Sequence, residues 1–461
     1  MSDTQNNQER IRLPEQLLYA SGNVPMGWLY SIIAMFLVYF YTDVIGVNAG
    51  AVGVIILISK IFDGITDLIA GTIVDRTHTK WGSARPWIMR MAVPVGLSYV
   101  ALVTVPNFGD VGKLIYIFVT YNVVNAVVYT LMGTASMALP TFMTHDQHQR
   151  SVLYVWGMLF AGACQMALAM FMLPFINYMG GGQLGWIKVS AILGTVAVIW
   201  LLLIFRFTKE RFVPPHVEGK EVSVFKGLLA LIKNKYWFMA LGIQFSIVLH
   251  QVVTLTIGVY YAKYILEDAN LVGQLIMWHH LPGLLLTFAI PALMKRFTKR
   301  NLGLFGAVLQ LFGQVIVMFN ATSSFMAVSM VIRGLGFSMI MCTVNGMIAD
   351  TIEYGEWKTG VRTQALVFSA NMVGQKVGNG LGNALLGLYL AFLGYVGTAA
   401  VQTPQAIQGI RNAFIIAPIA IYAVLIIIYL LYKLDKDYPA IMKDLAKRRE
   451  TISQPQTGED A

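Results

Sequence analysis

The chain has 461 residues, 57% of them hydrophobic and only 12% charged, with a formal net charge of +10. Soluble globular chains carry roughly 25% charged residues, so the composition excludes an ordinary water-soluble domain and predicts a polytopic membrane protein. No basic–aromatic groove or binding motif accompanies the positive charge, which points away from nucleic acid as a partner.

The amino-terminal stretch MSDTQNNQERIRLPEQ is polar and lacks the apolar core and small-residue cleavage site of a secretory signal. The first membrane helix is therefore expected to act as its own insertion signal. A spanning helix needs about 20 largely apolar residues. Such runs lie near 24–46, 50–74, 86–106, 113–141, 151–177, 186–207, 237–262, 270–294, 301–320, 324–350, 364–395 and 410–432. The longest interior polar stretch, RFTKERFVPPHVEGKEVSVFKG, separates the sixth run from the seventh. The expected organisation is an amino-terminal six-helix bundle over 1–207, a cytoplasmic central loop over 208–236, a second bundle over 237–435 and a cytoplasmic tail over 436–461. The last residues, KRRETISQPQTGEDA, offer little to bury and are expected to be disordered.

Basic residues in short loops set orientation. Connections from odd to even spans hold only Lys113, Lys188, Lys263 and Arg411, while most of the 33 Lys and Arg lie in the termini and the even-to-odd connections. Both termini are thus expected on the cytoplasmic side of a cell inner membrane, with a basic rim facing anionic lipid headgroups. Cys164 and Cys342 lie in apolar runs with no metal-ligand or CxxC spacing and read as small fillers. No nucleophile–base pair or metal-spaced cluster suggests an enzyme or a bound cofactor.

The two halves echo one another. DRTHTKWGSARPW follows span 2 and MKRFTKRN follows span 8; ALPTFMTHDQHQR follows span 4 and IADTIEYGEWKTGVR follows span 10. Charged loops at matching positions suggest a repeated transporter architecture with its substrate near the midplane. Asp75, Arg76 and Arg85 after span 2, with Glu353, Glu356 and Arg362 after span 10, are the expected gating charges.

Span 2 reads SKIFDGITDLIAG and carries Lys60, Asp63 and Asp67 at i, i+3 and i+7. At 3.6 residues per turn they share one helix face. Each charge costs roughly 2.5–3.5 kcal/mol near the bilayer centre, so the three should face the bundle interior, one aspartate pairing with Lys60 or with Lys376 of span 11. Two close carboxylates cannot both stay ionised in a dry site without a cation or a proton, which suits cation coupling by H+ or Na+. Amides and aromatics elsewhere in the spans suit a sugar, because amides exchange hydrogen bonds with hydroxyls and rings cover C–H faces. Asn122, Asn125, Tyr129 and Thr130 of span 4, Gln244, His250 and Gln251 of span 7, Trp278, His279 and His280 of span 8, and Asn371 and Gln375 of span 11 are of this kind.

The segments YFYTDVIG, SKIFDGITDLIAGTIVDRTHTKWGSARPWI and IADTIEYGEWKTGVRTQAL resemble the glycoside–pentoside–hexuronide:cation symporters, over about Leu17 to Asp435. The resemblance implies an all-α membrane protein with the major-facilitator fold, two six-helix bundles of twelve transmembrane helices working by alternating access. It implies cation coupling at Asp63, Asp67, Thr130 and Lys376, with a possible Na+ at Asp63 and Asp67. Substrate binding is expected at Lys60, Asn122, Tyr129, Asn371, Gln375, Lys376 and Trp278. Against the family's melibiose carrier, Gly27 and Gly133 stand where aspartates are found, Gly157 or Met158 where an arginine is, and Met137 where a tryptophan is. Fewer hard oxygen ligands favour H+ over Na+, and the lost acids make an anionic substrate such as a hexuronide easier to accept. The expected function is symport of a glycoside, pentoside or hexuronide. The alternatives are a carrier for another solute, such as an amphipathic lipid, and a non-transporting membrane sensor.

Overall fold

The computed structural model describes residues 11–77, 79–144, 147–211, 229–319, 323–360, 364–399 and 401–453. They form helices throughout; apart from one isolated bridge between Thr79 and Gly82, the described residues hold no strand pairing. In chain order the long helices are α1 (Leu13–Val44), α2 (Ala49–Asp75), α3 (Arg85–Val103), α4 (Gly109–Met143), α5 (Gln147–Tyr178) and α6 (Gly182–Phe207). There follow α7 (Lys235–Tyr264), α8 (Leu271–Thr287), α9 (Lys299–Phe319), α10 (Ser323–Thr359), α11 (Gln364–Phe392), α12 (Pro404–Leu431) and α13 (Leu434–Ser453). Among the described residues, nine helices are long and apolar enough to cross a membrane. The helices α2, α8 and α11 run where three further spans are expected. Interior prolines such as Pro94, Pro174 and Pro418 persist inside these helices. In a membrane, neighbouring helices satisfy the backbone groups that a proline frees.

Two compact units divide the chain. One holds α1 to α6 with the stretches Gln251–His280 and Lys376–Phe414. The other holds the start of α7, the stretch Leu281–Gln375 and the chain from Ile415 onward. The division cuts α7, α8, α11 and α12 along their lengths, so the first unit includes the α7–α8 and α11–α12 connections.

In the first unit α2 lies directly against α11. A Cβ on Gly53 would sit 3.0 Å from the Ala384 Cα, and one on Gly387 would sit 2.3 Å from the Ala49 carbonyl oxygen. Apolar side chains gain little by leaving lipid, so close backbone contact through small residues is what holds such a pair. In the second unit the core runs through Tyr236, Ala240, Ile243, Ile340, Val344, Ile348, Tyr429 and Tyr432.

The stretch after α12 forms α13, which takes in 447–453 of the residues expected to be disordered; 454–461 lie outside the described residues. Leu434, Ile441 and Leu445 share one face and join the second unit's core beside Tyr354. Asp444 accepts from the Trp357 indole at 3.3 Å, and the Arg448 guanidinium donates to the Trp357 carbonyl at 2.9 Å. The apolar face, spaced at i, i+7 and i+11, was in the sequence; its mean composition hid it.

π-helical turns interrupt α1 at Ile32–Phe36 and Phe40–Val44, α4 at Val123–Tyr129 and α7 at Val252–Ile257. Such turns shift the register of everything beyond them and recur at functional sites.

Candidate functional site

The three charges of α2 do share one face, and each finds a partner. Lys60 Nζ lies 2.9 Å from Asp63 Oδ2, with side chains only 13% and 3% exposed. Asp67 is ion-paired with Lys376 of α11. Lys376 also reaches the Asp63 backbone carbonyl at 3.5 Å, so its ammonium stands between the two acidic turns. The two pairs are thus distributed as one local, i to i+3, and one across helices. Both are neutral overall, which offsets the cost of placing charge in a membrane.

Helix α4 covers the same face. The Asn125 amide donates to Asp63 Oδ2 at 2.5 Å. The Thr130 hydroxyl lies 3.2 Å from Asp67 Oδ1 and 3.1 Å from the Asn125 carbonyl oxygen, so its single proton is shared. Asp63 and Asp67 are four apart on α2, whereas Asn125 and Thr130 are five apart on α4. The π turn at Val123–Tyr129 supplies the extra residue and brings both α4 groups into register with both acids. One turn away, the Asn122 amide donates to the Ser59 hydroxyl at 2.8 Å and to the Phe118 carbonyl at 2.7 Å.

Two buried acceptors are left over. Among the described residues, Asp63 Oδ1 and Asn122 Oδ1 have no hydrogen-bond partner. A buried carboxylate oxygen without a donor is costly unless something fills the place, a proton or a cation being the natural occupants. Aromatic rings flank the site: Lys60 Nζ sits 5.8 Å from the centre of the Tyr121 ring, and the Tyr30 and Tyr129 rings are 6.4 Å apart, tilted at 34°. The arrangement can therefore bind a small cation at acids already held by lysines and present Tyr faces and amides to a polyhydroxyl solute.

Of the expected residues, Lys60, Asp63, Asp67, Asn122, Thr130 and Lys376 come together, with Tyr129 at the edge. Asn371 belongs to the second unit, where it is buried and, among the described residues, its Oδ1 has no partner. Gln375 is half-buried in that unit. Trp278 is half-buried on α8 and, among the described residues, makes no hydrogen bond to the cluster. Among the residues expected to gate, Arg85 braces its own unit: its guanidinium donates to the Phe205 carbonyl at 2.6 Å and lies 4.9 Å from the centre of the Phe205 ring. Arg76 is exposed at the end of α2, and Glu353 and Glu356 are half-buried on α10. The Asp75 side chain and Arg362 lie outside the described residues.

The sequence reading did not single out Asn125 above its neighbours, and it missed Asp43, Glu210 and the Lys299–Asp350 pair. Glu210 Oε1 accepts from the backbone N–H groups of Ala84 and Arg85 at 2.9 and 2.7 Å, and Oε2 from that of Ser83 at 2.8 Å. It thus caps α3 from a residue beyond α6. Lys299 Nζ lies 2.7 and 2.6 Å from the two Asp350 oxygens. The cue for Asp43 was its place at the apolar edge of YFYTDVIG; its partners lie 220 and 352 residues away.

The described residues form an all-helical, multi-pass membrane protein with ion pairs inside its spans, and its family and relatives are transporters, not enzymes. The chain belongs to the family described as MFS/sugar transport protein, whose model matches residues 18–436. It is 30% identical to the isoprimeverose transporter of Lactiplantibacillus pentosus over 94% of this chain and 91% of that protein. It is 29% identical to a putative glycoside/cation symporter of Escherichia coli K12 over 95% of this chain and 96% of that one. Its backbone is similar to a structure solved for substrate recognition in proton-dependent oligopeptide transporters, with a TM-score of 0.66, 11% identity and coverage of 94% and 100%. That likeness shows a shared fold, which the family match makes the major-facilitator fold.

Proposed function

We propose that the protein is a secondary symporter that moves a glycoside, pentoside or hexuronide with H+ or Na+ by alternating access between two six-helix halves, 1–207 and 237–435. The observation that carries this reading is the pairing of Asp63 with Lys60 and of Asp67 with Lys376, beside an unpartnered Asp63 oxygen. A proton or Na+ that takes a carboxylate frees an ammonium, and the ammonium can then hold a sugar hydroxyl or a uronate oxygen. Cation and substrate each raise the other's affinity through that exchange. Asp63, Asp67, Thr130 and Lys376 handle the cation; Lys60, Lys376, Asn122, Tyr129, Asn371, Gln375 and Trp278 face the substrate. Asp75, Arg76, Arg85, Glu353, Glu356 and Arg362 gate the cytoplasmic mouth of a protein that sits in the inner membrane with both termini inside.

Isoprimeverose is the first solute to try, because the relative 30% identical to this chain is named as its transporter. Uptake into vesicles is measured with an imposed pH gradient, an imposed Na+ gradient, and neither. Accumulation driven by one gradient supports the reading; the absence of gradient-driven accumulation across a panel of glycosides, pentosides and uronides defeats it.

A further inference from the structure

Where α1 runs out toward α2, the Asp43 side chain has no exposed surface. Lys263 Nζ and the Tyr264 hydroxyl donate to Oδ1 at 2.6 and 2.7 Å, and the Tyr395 hydroxyl donates to Oδ2 at 2.5 Å. The Thr42 hydroxyl lies 2.7 Å from Oδ2 and 2.9 Å from the Tyr260 hydroxyl. This one carboxylate therefore ties together the end of α1, the end of α7 and the α11–α12 connection. All three belong to odd-to-even connections, which alternation places on one side of the membrane.

The surroundings are built to close. The Tyr260 and Tyr395 rings are 5.5 Å apart, and the Tyr264 and Tyr395 rings 5.8 Å, both edge to face. Gly397 passes so near α1 that a Cβ there would sit 2.1 Å from the Thr42 carbonyl oxygen. One turn deeper on α7, Thr256 donates to the Ala34 carbonyl at 3.0 Å. The Asp63 and Asp67 pairs begin 14 residues into α2, about 20 Å further along the helix at 1.5 Å per residue.

We propose that Asp43, Lys263, Tyr264 and Tyr395 form a latch that seals this end of the substrate path and breaks and remakes in each transport cycle. A buried carboxylate is stable only while its donors are all in place, so losing one favours release of the rest. When the latch opens, water replaces every donor, so the open state is also satisfied. Such a contact has two discrete arrangements, as a gate requires. The proposal rests on the alternating-access reading, and its site is at the other end of the membrane from the expected cytoplasmic gating charges.

The test needs neither substrate nor gradient. In protein reconstituted in nanodiscs, with Cys164→Ser and Cys342→Ser, a Thr256→Cys reporter is alkylated by a water-soluble maleimide. Thr256 is 1% exposed, so the parent reacts slowly. Asp43→Asn and Lys263→Met are expected to raise the rate about tenfold, and Tyr395→Phe about threefold, as local opening becomes easier. A Ser338→Cys reporter in the second unit, also buried, should keep its rate. Should Asp43→Asn fail to fold, Tyr395→Phe and Tyr264→Phe decide the matter. Unchanged Thr256→Cys rates in the folded variants, or equal increases at both reporters, would overturn the latch. Failure of gradient-driven uptake in the parent would instead remove the coupling reading and leave the alkylation result standing.

Discussion

Lys376 of α11 is ion-paired with Asp67 of α2, and the same ammonium reaches the backbone carbonyl of Asp63 one turn away. One lysine thus touches both acidic turns, while Lys60 balances the charge of the second carboxylate. Charge balance at the site therefore depends on a contact between two helices.

Asp67→Asn should abolish gradient-driven accumulation while leaving exchange between equal substrate pools largely intact. The amide keeps the shape but cannot trade an ammonium for a cation. Vesicle uptake under an imposed gradient, compared with counterflow, is the measurement; accumulation equal to that of the parent would show that Asp67 takes no part in coupling.

Lys376→Ala should make substrate affinity independent of the coupling cation, because no ammonium is released when the carboxylate is taken. Lys376→Arg should restore part of the dependence. Affinity is read by calorimetry between pH 5.5 and 8.5, with and without Na+. If the alanine variant keeps the parent's dependence, Lys376 is a packing counter-ion only.

Asn125→Ala removes the amide donor from Asp63 Oδ2. A hydrogen bond to a charged group contributes about 1.5–3 kcal/mol, so a lower melting temperature and an accumulation ratio reduced about tenfold are expected. Asn125→Ser, which can still donate, should recover most of both. Equal behaviour of the alanine and serine variants would mean that the contact does not position Asp63.

Leu445→Ala and Ile441→Ala should each destabilise the second unit by about 2–5 kcal/mol, the range for truncating a buried Leu or Ile. Thermal unfolding of the purified protein tests this. A tail that merely hangs from α12 would show no loss.

Glu210→Ala should leave the N–H groups of Ser83, Ala84 and Arg85 uncapped, at a cost of about 1–3 kcal/mol. Faster proteolysis at the α2–α3 connection, with α13 unaffected, is the expected signature. Cleavage at the parent's rate would mean that water replaces the carboxylate without loss.

The sequence by itself determined what hydrophobicity and helical spacing encode. Spans, the polar break after α6 and the shared face of Lys60, Asp63 and Asp67 follow from local composition and a 3.6-residue repeat. Lys376 and Thr130 stood out as polar groups within the spans, and the family motifs added their expected place at the cation site. Tertiary structure alone decided which partners the charges take. The choice of Lys60 for Asp63 and Lys376 for Asp67 depends on how α2 approaches α11 through Gly53 and Gly387, and no spacing along one helix reveals that approach. The five-residue step from Asn125 to Thr130 also escapes a 3.6-residue reading, because the π turn is stable only where neighbouring helices and the two acids hold it. Asp43 looks like a charge at the edge of the first span until two distant segments converge on it, since burial of a charge is a property of the assembled helices and not of the segment that carries it.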